Sequence, residues 1–299
     1  MQKLQIGQAI GAGIKQFFGQ FGSALKIGWV PLAILVIAHG IFMAVVLPDL
    51  EALIPREGAV DGQSEALTES EVQQLGVEFL ARFGWLGVIA GLVTILAYVM
   101  VTTGWLRFLL CGDDLGGRAG MFQFSGREFK MLGTAILLML VFGIVGTVVI
   151  SLFAGLVFVI GGFVNVLILV VYGALMLAFV RMALLFPMVA LDQGANWGAA
   201  WRLGKGNSWR LFWTYVVISI FVGLLSFVAF IPVGLVTGLV GALAPDSISF
   251  SLVLPLLAYD AIYIGGFMIT LGSLADCYRQ LNGPGAGVSD RELAVFDDA

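Results

Sequence analysis

Three ionisable residues stand inside long apolar runs of this chain: His39, Arg181 and Asp260. Charge in hydrocarbon is expensive, so each is a candidate functional group. His39 is the single histidine. It and Asp260 each fall about nine residues from the same-side end of their runs, so at about 1.5 Å per residue their depths agree to within roughly one turn. A hydrogen bond between them has two uses. It could hold a proton in a transport path, since imidazole titrates near physiological pH. It could also clasp two helices, at about 1 kcal/mol. Tyr259 and Tyr263 lie close by in sequence. Arg181 sits roughly 13 Å inside its run by the same rise per residue. Its readings are snorkelling to headgroups or helix pairing, and binding of an anionic group across a cavity. Arg181, Asp260 and His39 together form the candidate intramembrane polar site.

No other constellation carries chemistry. A Ser-His-Asp set, a phosphate-cradling loop or paired catalytic carboxylates cannot be assembled. His39 and Asp260 lack a nucleophile or a metal beside them. No catalytic, cofactor-binding or metal residue is assigned, no cofactor is expected, and the expectation is a protein that is not an enzyme. Cys111 and Cys277 both fall near predicted cytoplasmic helix ends, where a structural disulfide is not expected.

The elements that must position these groups follow from composition. The 299 residues are 60% hydrophobic and 11% charged, with a mean hydropathy of +1.03. Soluble domains carry about 25% charge, so an integral membrane protein is the class that fits. Six stretches are long enough to cross about 30 Å of hydrocarbon: 26–48, 84–110, 131–157, 164–190, 211–241 and 251–278. Gly161, Gly162 and Asn165 supply the turn between the third and fourth. Pro232 is expected to bend or break the fifth near its outer end. The first run has no small-residue cleavage site after it and reads as a retained helix rather than a signal peptide. Residues 1–281 form one polytopic membrane domain, and 282–299 a flexible cytoplasmic tail. The fold class is all-α integral membrane.

Orientation follows from the basic residues. Twelve of the fifteen lie on the side that holds the N-terminus, only Arg56 and Arg82 lie opposite, and Arg181 is within a span. Both termini are therefore expected in the cytoplasm. The outer segment 49–82 carries eight acids. Within it Thr68 reads as an N-cap, with Glu71 at the capping-box position.

Two entry phrases precede outward spans: F-S-G-R-E-F-K-M-L from Phe124 and G-K-G-N-S-W-R-L-F-W from Gly204. Aligned without gaps, Gly126 meets Gly206, Phe129 meets Trp209, Lys130 meets Arg210, and Met131-Leu132 meets Leu211-Phe212. Glycine permits a bend, while the aromatic and the basic residue hold it at headgroup depth. Upstream of Lys26, Ile10, Ile14, Phe17, Phe18, Phe21 and Leu25 share a helical stripe opposite Lys15, Gln16, Gln20 and Ser23. Residues 195–210 repeat that scheme with Trp197 and Trp201, and residues 117–130 more weakly. The chain therefore reads as three units, each an interfacial amphipathic helix followed by a hairpin of spans. Candidate lipid-headgroup contacts are Lys15, Lys130, Trp201, Arg202, Lys205, Trp209 and Arg210. Gly87 and Gly91, and Gly234 and Gly238, allow close helix contact and leave a homo-oligomer open. Gly112-Asp113-Asp114 and Asp192-Gln193-Gly194 read as helix exits.

The segment from Arg181 to Phe212 resembles the hallmark of bacterial six-span proteins, the glycerophosphoryl diester phosphodiesterase membrane domains and the related YciC-like family. Arg181, Pro187, Trp201, Lys205, Gly206, Asn207 and Trp209 carry the resemblance. It implies a multi-pass protein of the bacterial inner (cytoplasmic) membrane. Some relatives carry a soluble phosphodiesterase domain after the membrane part. Only a short tail follows Leu281 here, so hydrolase activity is not carried over.

Two functions are in view: interaction with membrane lipids, anionic ones included, or with a soluble cytoplasmic partner, and transport along a path lined by Arg181, Asp260 and His39. An enzyme of lipid metabolism is suggested only by the family name, and no nucleic acid partner is expected. The orientation is checked with single cysteines placed in 49–82 and in 191–210, after Cys111 and Cys277 are replaced by Ala. An impermeant maleimide applied outside should label the first set alone. Labelling of both sets from one side would remove the topology.

Overall fold

A backbone in hydrocarbon must satisfy its own N–H and C=O groups, and an apolar run of this length does so as helix. The computed structural model describes residues 3–53, 69–112, 126–160, 163–243 and 248–283. Every regular element among the described residues is an α-helix: α1 (Ile6–Gly19), α2 (Phe21–Leu53), α3 (Glu69–Cys111), α4 (Gly126–Ile160), α5 (Phe163–Met182), α6 (Leu185–Ala190), α7 (Trp197–Leu203), α8 (Ser208–Leu243) and α9 (Ile248–Asn282). Six stretches are long and apolar enough to cross a membrane: Phe21–Pro48, Gly76–Cys111, Gly126–Phe153, Val166–Ala190 (across α5 and α6), Ser208–Val240 and Pro255–Asn282. The chain is an all-α, multi-pass integral membrane protein.

Details differ from the sequence reading. α3 begins at Glu69, the position that an N-cap at Thr68 implies, and runs without a break into the second span. Thr68, the Gly161–Gly162 turn, most of 117–130 and the tail lie outside the described residues. Asn165 stands inside the first turn of α5, not ahead of it. Pro232 does not break α8, which runs through it. The break falls in the fourth span instead, ahead of Pro187. Proline has no N–H, so the Ala183 carbonyl four residues back loses its usual partner. Phe186 N donates to Ala183 O at 3.1 Å and Leu184 N to Arg181 O at 3.3 Å, a tightened turn that separates α5 from α6.

The chain divides into two compact units: Met1–Pro31, Tyr98–Ala229 and Ile262–Ala299, and Leu32–Ala97 with Phe230–Ala261. The core of the first lies at the C-terminal ends of the even-numbered spans. Trp105, Leu106 and Leu110 of α3, Leu184 and Leu185 at the α5–α6 break, and Ile269, Ala275 and Cys277 of α9 are fully buried. Trp105 Nε1 donates to Met268 O at 2.8 Å, which ties α3 to α9. α4 and α8 bury matching positions eighty residues apart: Met131 and Leu211, Thr134 and Thr214, Leu138 and Ile218. Each threonine hydroxyl returns to the carbonyl four residues back, Lys130 O at 2.8 Å and Arg210 O at 2.9 Å. Hydrogen-bonded locally, it can be buried without cost to the neighbour.

α1 buries Ala9, Gly13 and Phe17, one residue per turn. A Cβ at Gly13 would overlap Ser273 Oγ and lie 2.6 Å from Ile269 O, and one at Gly272 would lie 3.0 Å from Gly13 Cα. Two helix backbones therefore touch at glycines. The expected stripe from Ile10 to Leu25 is interrupted at Gln20, where α1 ends. Phe18, Phe21 and Leu25 stay exposed, and α1 docks on α9 through Ala9, Gly13 and Phe17, whose ring lies against Gly265. In the second unit, Leu35, Val46, Phe83, Ala97 and Asp260 are buried.

Gly13→Val should therefore lower stability by about 1–3 kcal/mol through overpacking. Gly11→Ala, where a Cβ meets nothing within 4 Å, should not lower it and should raise it by about 0.5–1 kcal/mol through helix propensity. Thermal denaturation in detergent compares them, and equal midpoints would refute the α1–α9 contact.

Candidate functional site

Helix C-termini leave carbonyls without N–H partners, and the even-numbered spans answer this with cross-helix donors. α6 closes by a Schellman motif: Asp192 N donates to Val189 O at 3.1 Å and Gln193 N to Met188 O at 2.9 Å. Asp192 occupies the left-handed position at φ 58, which aspartate tolerates better than most residues. Its carboxylate accepts from Arg127 Nε at 2.9 and 2.7 Å and from Arg107 Nη1 at 3.4 Å. Arg107 Nη1 also donates to Ala190 O at 3.3 Å, capping α6 from α3. Arg279 of α9 donates through Nη2 to Leu109 O, capping α3. Tyr278 OH donates to Gln193 Oε1 at 2.7 Å and accepts from Asn282 Nδ2 at 3.1 Å. α3 and α9 end on left-handed glycines, Gly112 at φ 62 and Gly283 at φ 88.

Arg181, near the end of α5, is held by the turn between α7 and α8. Its guanidinium carbon lies 4.4 Å from the Trp201 ring centroid, a cation–π stack. Its Nε donates to Ser208 Oγ, which donates onward to Gly204 O at 3.2 Å. A Cβ at Gly204 would lie 2.9 Å from Arg181 Cγ, so the glycine makes room for the arginine stem. Of the three residues of the expected polar site, Arg181 belongs to the first unit and has the surroundings just described, and His39 and Asp260 meet within the second.

The second entry phrase performs a further task. Gly206 takes φ 81, and Asn207 behind it is buried. Asn207 Oδ1 accepts from Leu4 N at 3.1 Å, and Arg210 Nη1 donates to Leu4 O at 2.8 Å. The Leu4 side chain is 1% exposed. Gln5 N donates to Gln280 Oε1 at 2.7 Å, and Gln280 Nε2 donates to Asp276 Oδ2 at 2.6 Å. That pair of bonds orients the Gln280 amide. Arg210 is thus a latch on the N-terminal segment, a role that its headgroup assignment missed. In the first phrase, Gly126 is the first residue of α4 and adopts no left-handed conformation.

The other proposed headgroup contacts are placed as follows. Lys15, Lys130, Arg202 and Lys205 are exposed. Trp201 and Trp209 are 44% and 59% exposed. Trp209 stacks on Phe212 with centroids 5.2 Å apart and meets Trp213 edge-on at 6.0 Å. Trp213, 43% exposed, completes this aromatic patch and was not singled out from the sequence. Its only signal there was adjacency.

In the second unit, His39 Nδ1 lies 3.1 and 2.9 Å from the two Asp260 carboxylate oxygens. Asp260 is 3% and His39 23% exposed at the side chain. With the carboxylate ionised, Nδ1–H donates and the ring presents Nε2 as its second nitrogen. The arrangement can hold a helix pair together and can exchange a proton.

Fold and site together define a six-span, all-α membrane protein with a polar hub at its helix ends. Family models, curated proteins and solved structures all fail to match the chain.

A double-mutant cycle of His39→Ala and Asp260→Ala should return a coupling of about 0.6–1.7 kcal/mol in detergent unfolding. Additivity within about 0.3 kcal/mol would show that the two residues do not hold each other.

Proposed function

We propose that this is a non-enzymatic protein of the bacterial inner (cytoplasmic) membrane, with both termini in the cytoplasm, that engages anionic lipid headgroups, or a partner docked among them, at the cytoplasmic leaflet. One observation carries the reading. At the start of each odd-numbered span, an exposed apolar residue precedes a basic residue, and a buried one follows. The sets are Leu25-Lys26-Ile27, Phe129-Lys130-Met131 and Trp209-Arg210-Leu211, with exposures of 55, 62 and 59% at the first position and 9, 0 and 0% at the third. Gly22, Gly126 and Gly206 stand three residues ahead of them. An apolar side chain turned outward beside a cation suits the headgroup layer. The same threefold pattern supports an internal triple repeat. The proposed kinship with the phosphodiesterase membrane domains and YciC-like proteins draws support from Arg181, Trp201 and the Gly204–Ser208 turn, which fold onto one another.

Transport is the second reading, and the His39–Asp260 hydrogen bond favours it. Flux in proteoliposomes that is unchanged by Asp260→Asn and His39→Ala would remove it.

For the lipid reading, the protein is reconstituted in mixed phosphatidylglycerol and phosphatidylcholine nanodiscs, and the lipid shell is quantified with spin-labelled lipids. Wild type should enrich the anionic lipid, less so at high salt. Neutralising Lys15, Lys130, Arg202 and Lys205 to Gln should abolish the enrichment, since each cation contributes about 1 kcal/mol near an anionic surface. An unchanged shell would refute the headgroup role.

A further inference from the structure

A guanidinium carries five N–H donors. Arg181 spends one of them, Nε, on Ser208 Oγ. Among the described residues, no protein acceptor is recorded for its two Nη nitrogens and no carboxylate pairs with it. It nonetheless lies within a membrane span, Val166–Ala190, where an unneutralised cation is costly. Three contacts hold the rest of the side chain. Trp201 covers one face at 4.4 Å, Gly204 receives the stem, and Ser208 fixes the Nε edge. The forked end with four donors is left pre-oriented. Arginine in this state matches the planar, two-pronged recognition of a phosphate group.

The surrounding charge points the same way. From Gln193 to Pro245 the chain contains no acidic residue, while Arg202, Lys205 and Arg210 stand in the turn or beside it. Arg210 is engaged with Leu4 O, which leaves Arg202 and Lys205 as the exposed cations flanking the bracket. The local charge is positive, and the half-buried Arg181 adds to it.

We propose that Arg181, stacked on Trp201 and fixed by Ser208, is the anchor of a one-to-one phosphate-binding site, whose occupant is the phosphodiester of an anionic phospholipid or the phosphate of a water-soluble phosphoester. The proposal rests on the headgroup reading above and adds a specific, stoichiometric site to it. Trp201 and Ser208 are positioning residues. They hold the guanidinium, and the Nη fork makes the contact.

The full-length protein in detergent is stripped of lipid and titrated separately with phosphatidylglycerol, diacylglycerol and glycerol 3-phosphate, with occupancy read by native mass spectrometry. Wild type should take up one phosphatidylglycerol and no diacylglycerol. Competition by glycerol 3-phosphate identifies a soluble source, and its absence identifies the lipid. Arg181→Gln should weaken binding by about tenfold or more, because a charge-assisted pair is lost. Arg181→Lys keeps the charge without the fork and should fall between, so loss of folding in the first variant leaves the second as the test, with the thermal midpoint recorded for both. Equal affinity of wild type and both variants would overturn the site, as would the absence of binding by either phosphate compound. Lys15→Gln with Lys130→Gln separates the two readings. It should reduce the anionic lipid shell and leave the one-to-one site intact, whereas Arg181→Gln should do the reverse.

Discussion

The C-terminal carbonyls of a buried helix need donors, and in this chain arginines from neighbouring helices supply them. Arg279 serves α3 through Leu109 O, and Arg107 serves α6 through Ala190 O. Such bonds join a cation to the negative end of a helix dipole where water is scarce, which strengthens both the dipole and the hydrogen-bond contribution. Asp192 adds the counter-charge, accepting from Arg127 and Arg107. The left-handed backbone at Asp192 disfavours an ordinary side chain, and its ion pairs offset that strain. Arg107 links the two parts, since it is the least exposed of the three charges and bonds both the Ala190 carbonyl and Asp192. The glycine contact of α1 with α9 and the Trp105 bond to Met268 O fasten the rest of the first unit around the same ends.

The segment from Arg181 to Arg210 then reads as a bracket with two arms. One arm reaches back to α5 through the Arg181–Trp201 stack. The other reaches the N-terminal segment through Asn207 and Arg210. Gly204 and Gly206 are required for different reasons, space for an arginine stem at the first and a left-handed turn at the second. A motif of aromatic, basic and small residues can thus be architectural in most of its positions. Arg181 is the exception, because among the described residues its contacts leave the forked end of the side chain unused.

Hydropathy made the six spans legible, since length and apolarity are properties of single segments. The helix exits were legible too, because glycine and aspartate announce a left-handed residue locally. Contacts between segments distant in the chain were less so. Nothing in L-Q marks Leu4 and Gln5 as backbone clamped more than 200 residues away, and a lone small-residue line such as Ala9–Gly13 is easily overruled by a neighbouring stripe of phenylalanines. Large apolar residues predict packing in water. In a bilayer they are as comfortable facing lipid, and small residues select the helix contact. The Asp260–His39 bond could be anticipated because two rare polar residues at one depth have few alternatives.

The second unit shows what that bond is for in energetic terms. Among its described residues, the buried apolar side chains are Leu35, Val46, Phe83 and Ala97. Between helices in lipid, such residues supply packing and no hydrophobic driving force. A hydrogen bond between α2 and α9 therefore contributes specificity out of proportion to its modest strength, because it selects one rotation and one register of the two helices. Asp260 is buried while His39 is partly exposed, so the acceptor is locked in the protein and the donor ring borders its edge. The buried carboxylate fixes the acceptor, and α2 must take the one rotation that brings the imidazole to it, so a single polar contact sets how the two helices face each other.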